Sequence, residues 1–94
     1  MDTSQMEQAW LEAVGERVGG EPLAPPADAE VRSLLRVTKV TADATGVRYL
    51  APLTAYLIGR AAGRADASGE PFDLRAAVDA ISELAAGWEP EPGG

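Results

Sequence analysis

Residues 47–64 read VRYLAPLTAYLIGRAAGR, a nearly uncharged run interrupted by two glycines and closed by arginines. A proline in the first turn of a helix loses only an N–H that would be unpaired there anyway. Pro52 therefore lets a helix start near Leu50 and run to about Asp66. The segment is apolar around most of its girth, the pattern of the central helix of a bundle. Gly59 and Gly63 sit one turn apart, beside the side bearing Leu53, Tyr56 and the arginines. Each glycine costs about 1 kcal/mol relative to alanine inside a helix. The expected compensation is another backbone lying close against them, with this helix buried on nearly every side.

Working outward, three more helices are predicted. The first starts near Ser4, where Ser4-x-x-Glu7 fits a capping box. Met6, Trp10, Ala13, Val14 and Val18 follow at helical spacing, and Gly19-Gly20 stop it. The next segment, GEPLAPPADA, holds three prolines and is read as a connection in which Leu23 tucks against the bundle.

The second helix is predicted from Asp28 to Thr45, with Gly46 as a left-handed cap. Its core stripe is read as Val31, Leu34, Leu35, Thr38, Ala42 and Thr45. A basic flank (Arg32, Arg36, Lys39) and a second apolar flank (Val37, Val40, Ala44) complete its circumference. After ASGEPF, Asp73 caps a fourth helix whose stripe is Leu74, Ala77, Val78, Ile81, Leu84, Ala85 and Trp88. Gly87 ends it, and residues 89–94 read as a flexible acidic tail. Trp10 and Trp88 are expected as core anchors where the first and last helices meet.

The fold class that follows is all-α: one compact four-helix domain over residues 1–94, with short connections and mostly antiparallel neighbours. Alanine dominates the 46% apolar content and aromatics are only 5%, which favours thin, closely packed helices over a β-sandwich.

Histidine and cysteine are both absent. That removes imidazole bases, thiolate nucleophiles, disulfides and the common zinc ligand sets. Neither a Gly-x-Gly-x-x-Gly turn nor a P-loop is present, and the acids pair only at helical surface spacing (Glu12 with Glu16, Asp79 with Glu83). The expectation is a protein without catalytic activity and without a cofactor or metal. No run reaches the roughly 20 apolar residues of a membrane span. The opening MDTSQMEQAW has acidic and polar residues where a signal peptide needs basic and apolar ones. A cytoplasmic location and no membrane partner are expected.

The net charge of −7 disfavours nucleic acid as a partner. Its distribution is uneven. Residues 31–65 carry Arg32, Arg36, Lys39, Arg48, Arg60 and Arg64 against Asp43 alone, a net +5, and the remainder carries −12. Asp43 is read as the ion-pair partner of Lys39, one turn away. Antiparallel packing of the second and third helices would bring the two basic stripes to a common groove with Arg48 at its end. Arginine forks suit phosphate or carboxylate there. The same residues could equally balance the protein's own acids through surface pairs.

The central run also carries a resemblance. Trp10-Leu11, then Arg48, Ala51, Pro52, Leu53, Thr54, Tyr56, Leu57, Gly59, Ala61, Ala62 and Gly63, match the pattern of a small actinobacterial domain family of unknown function. That family is found alone or attached to the C-terminus of MobA-like molybdopterin-guanine dinucleotide nucleotidyltransferases. The resemblance implies an all-helical fold and an association with molybdenum-cofactor synthesis and formate-dehydrogenase genes. It carries over no catalytic residue. Asp43-Ala44-Thr45 stands where the family often has a histidine-containing segment.

Two functions of different class follow. The first is a non-catalytic accessory protein that docks on a larger protein partner, a molybdoenzyme such as formate dehydrogenase or the maturation machinery. Arg48, Thr54, Tyr56, Gly59 and Gly63 would make the contact, with Arg60 and Arg64 at the rim. The second is a binder of an anionic ligand, a pterin or nucleotide phosphate, in the groove between the second and third helices. The sequence also allows a homodimer through the Val37/Val40/Ala44 flank.

Overall fold

The computed structural model describes residues 2–19 and 25–89. Four helices account for almost all of them: α1 (Thr3–Gly19), α2 (Asp28–Thr45), α3 (Leu50–Ala67) and α4 (Leu74–Ala86), with no strand among the described residues. The fold is all-α with short connections, as the periodicity predicts. Leu23 and residues 90–94 of the expected tail lie outside the described residues.

The helix ends follow from local chemistry. Asp73 caps α4 by accepting the Ala76 N–H at 3.0 Å, satisfying one of the orphan donors of the first turn. Gly46, at φ 69°, donates its N–H to the Ala42 carbonyl at 2.8 Å and closes α2 in the left-handed region. The Thr45 hydroxyl binds back to the Thr41 carbonyl at 2.8 Å and accepts the Val47 N–H at 3.1 Å, fixing the entry into α3. At the far end of α3, Glu70 N–H reaches the Ala65 carbonyl across Gly69, itself at φ 70°, the bonding of a Schellman stop. The capping box of α1 lies two residues before the expected one. Asp2 accepts the Gln5 N–H at 2.8 Å and the Gln5 side chain accepts the Asp2 N–H at 2.9 Å. Aspartate is as good an N-cap as serine, so the earlier of two competing signals prevails.

α2 is the central helix, and this corrects the expectation that α3 is. α2 packs on both α3 and α4, whereas α3 and α4 barely touch. Its neighbour α4 runs parallel to it. Ala29–Ser33 border one small pocket with Pro71–Arg75, Arg36 meets Asp79, and Thr41–Thr45 line a second cavity with Leu84–Trp88. The core is Val37, Ile58 and Val78, one side chain each from α2, α3 and α4, with Val40, Leu74 and Ile81 packed against it.

That core relocates the face of α2. Val37, with Thr41 buried beside it, is the centre of the packing surface, so Val37 and Val40 of the second apolar flank pack inside the bundle, while Ala44 is half-buried at the edge of the gap between α3 and α4. Leu35, placed in the core stripe, is exposed instead. A helix gripped by two neighbours buries the arc between them, and on α2 that arc is centred on Val37.

Only Ile58 of α3 is fully buried, so the expectation of a helix enclosed on nearly every side is overturned. Its run of alanine and glycine raises the apolar count without supplying side chains that need burial. Gly59 and Gly63 are exposed, and a Cβ added at either would meet nothing within 4 Å. The tryptophans are not core anchors either. Trp10 is 68% exposed and Trp88 49% exposed. Among the described residues the backbone of α1 does not closely approach that of α4.

Candidate functional site

Two surfaces of α3 collect the apolar side chains that the small core leaves over. Ile58 faces the core. At 100° per residue, Leu53, Tyr56, Arg60, Gly63 and Arg64 lie on the opposite side, with Gly59 at the edge. Tyr56 is 63% exposed, and Leu53 is exposed as well. The Arg60 guanidinium lies over the Tyr56 ring at 5.9 Å from its centroid, a cation–π contact one turn apart along the helix. Gly59 and Gly63 present bare backbone on this side of the helix.

The second surface is concave. α3 and α4 stand apart over the C-terminal half of α2, and the gap is a groove of about 600 Å³. Leu57, Ala61, Phe72, Ile81, Leu84 and Trp88 supply its apolar lining, with the Thr41, Thr45 and Thr54 side chains along it. The Thr45 and Thr54 hydroxyls turn back onto the carbonyls of Thr41 and Leu50, each at 2.8 Å. That satisfies their donors within the helix and leaves the groove chemically apolar. Leu57 and Leu84 are each 60% exposed along it.

The basic residues do not converge. Arg36 reaches across to α4, where it donates to the Asp79 carboxylate at 2.6 Å and the Ser82 hydroxyl at 3.1 Å. Lys39 pairs with Asp43 at 2.9 Å, as the spacing predicts. This hydrogen bond and the carboxylate charge raise the Lys39 pKa above its ordinary 10.5. Arg32 and Arg48 are exposed on α2 and in the turn before α3. None of Arg32, Arg36, Lys39, Arg48, Arg60 or Arg64 lines the α3–α4 groove. The α3–α4 groove is thus apolar. What the sequence reading missed is this groove. Its signal is the C-terminal end of the α4 stripe, Leu84 and Trp88, of which Trp88 is read from the sequence as an anchor against α1.

No group of three or more acidic, histidine or cysteine side chains with metal-holding geometry occurs among the described residues. None of their helices is long and apolar enough to cross a membrane.

A family profile described as a domain of unknown function, DUF6457, matches residues 2–93. The chain belongs to the DUF6457 family. The match takes in all four helices of this DUF6457 member, so helix, groove and glycine face lie within one domain. No curated protein and no solved structure matches it.

Proposed function

We propose that this DUF6457 protein is a non-catalytic accessory module that docks on a larger protein through the outer face of α3. The supporting observation is the exposed constellation of Leu53, Tyr56, Gly59, Arg60, Gly63 and Arg64 on a helix with one buried side chain. Exposed large apolar side chains rimmed by charge are the usual composition of an interface. Arginine and tyrosine are the residues that most often dominate binding energy there. The glycines have no steric partner among the described residues, and a partner's helix laid along them would approach closely. Arg60 and Arg64 at the rim would pair with its acids; Arg48 lies in the turn before this helix, and Thr54 lines the α3–α4 groove instead of the outer face.

The resemblance supports a finer reading, of an actinobacterial setting in which the partner is a molybdoenzyme such as formate dehydrogenase or its cofactor-maturation machinery. The test is a binding titration of purified chain against purified formate dehydrogenase and against a MobA-like nucleotidyltransferase. Stoichiometric binding to one of them, lost in Tyr56→Ser and Gly63→Leu with helicity retained, is the expected result. Binding unaffected by either substitution would remove the α3 face. Flat titrations with both would remove the molybdenum-related partners.

A further inference from the structure

We propose that the outer face of α3 is shaped for an acidic helix of another protein, one that presents two carboxylates a turn apart to Arg60 and Arg64. This rests on the docking reading above and names the chemistry of the partner. The basic residues of the chain fall into two classes. Arg36 and Lys39 on α2 find carboxylates of their own chain, Asp79 and Asp43. Arg60 and Arg64 are exposed on α3 and join no ion pair among the described residues. The chain has 15 acids against 8 Lys and Arg, so the two arginines stay unpaired for want of placement and not for want of acids.

Their surroundings keep them available. Asp66 is the only acid of α3, and at about 100° per residue it lies more than a right angle around the helix from either arginine. The Arg60 guanidinium rests over the Tyr56 ring, 5.9 Å from its centroid. That contact steadies the side chain while supplying no carboxylate, so the fork keeps its capacity for one. Arg60 and Arg64 are a turn apart, about 6 Å along the axis at 1.5 Å per residue. Acids at i and i+4 of a facing helix repeat at the same interval, so both forks can be met together in bidentate pairs. Gly59 and Gly63 carry no side chain to hold that helix off.

The same charges argue against a second copy as the occupant. A two-fold contact sets a surface against itself. On this face it would bring Arg60 and Arg64 of one copy against those of the other, and like charges so placed are unfavourable. Each copy also carries a net charge of −7, and a net charge far from zero keeps molecules of one protein apart. An acidic helix on a different protein gains from the arginines both in encounter and in register.

A displayed library of peptides tests this with the full chain as bait, each peptide about 18 residues long so that it can hold a helix, and randomised along one face. The selected peptides are expected to carry Asp or Glu at two positions four apart. Their affinity should fall by about tenfold or more for the Arg60→Gln/Arg64→Gln double variant. It should also weaken with added salt and be lost in Tyr56→Ser. Glutamine keeps a helix propensity close to that of arginine, and circular dichroism checks that each variant keeps its helices. Selected peptides that need Tyr56 but show no acidic enrichment overturn the acidic partner and leave the docking face standing. Peptides indifferent to Tyr56→Ser, or a selection without binders, overturn both. Self-association of the wild type that the double variant abolishes, read by sedimentation equilibrium, gives the face to a second copy and overturns the proposal.

Discussion

Val37 of α2 and Val78 of α4 meet in one buried cluster with Ile58, and neither valine has any solvent exposure. The parallel pairing of α2 with α4 is organised around this contact. Truncating either valine to alanine removes two methyl-sized groups at about 0.8 kcal/mol each and leaves a cavity. Val37→Ala and Val78→Ala should each cost roughly 2–3 kcal/mol, read as a fall in the urea midpoint at unchanged slope. Leu35→Ala, at an exposed site, should stay within about 0.5 kcal/mol of wild type.

That contrast marks what could be read from the residues. Helix ends were legible because they depend on a few neighbouring atoms. Asp73, Gly46 and Gly87 act where local chemistry says they should. The α4 stripe was legible because its apolar residues form a single arc. On α2 two apolar arcs compete, and only the positions of α3 and α4 decide that Val37 is inside and Leu35 outside. α3 misled for a compositional reason, since alanine and glycine look apolar yet demand little burial. Of the candidate site, the shared face of Tyr56, Arg60 and Arg64 follows from helical spacing. The separation of Arg36 from them follows from tertiary packing against Asp79, which no local pattern encodes.

The glycines offer a second test, with opposite signs at different positions. Gly59→Ala and Gly63→Ala place a methyl group in open space on a regular helix. Each should stabilise the isolated protein by about 0.5–1 kcal/mol, and a domain this size gains roughly 4–8 °C in Tm per kcal/mol. Gly46→Ala and Gly69→Ala force a side chain onto backbone at φ 69° and φ 70°. Those two should destabilise by about 1–2 kcal/mol. Differential scanning calorimetry of the four variants separates the classes.

Arg36 and Asp79 join α2 to α4, but both side chains are about half exposed. Water screens such a pair, and a double-mutant cycle with Arg36→Ala and Asp79→Ala should return a coupling of about 0.2–1 kcal/mol. Salt should reduce it, since the Debye length falls to about 3 Å at 1 M. A coupling that persists undiminished at 1 M salt would mean that the direct Arg36–Asp79 hydrogen bond, and not screened charge attraction, carries the pair.

Lys39 and Asp43 give a pH dependence whose sign is set by the lysine. The hydrogen bond and charge of Asp43 hold the Lys39 pKa in the folded protein above the ordinary 10.5. The unfolded chain therefore loses its proton first as pH rises. The stabilisation is complete below about pH 10.5 and fades as pH climbs through the higher folded value. Asp43→Asn removes the cause while keeping a side chain of the same size. Urea midpoints for wild type and Asp43→Asn should differ at pH 8 and converge at the most alkaline pH at which both still fold. A gap that stayed constant or widened with alkaline pH would assign the Asp43 effect to helix propensity and not to its bond with Lys39.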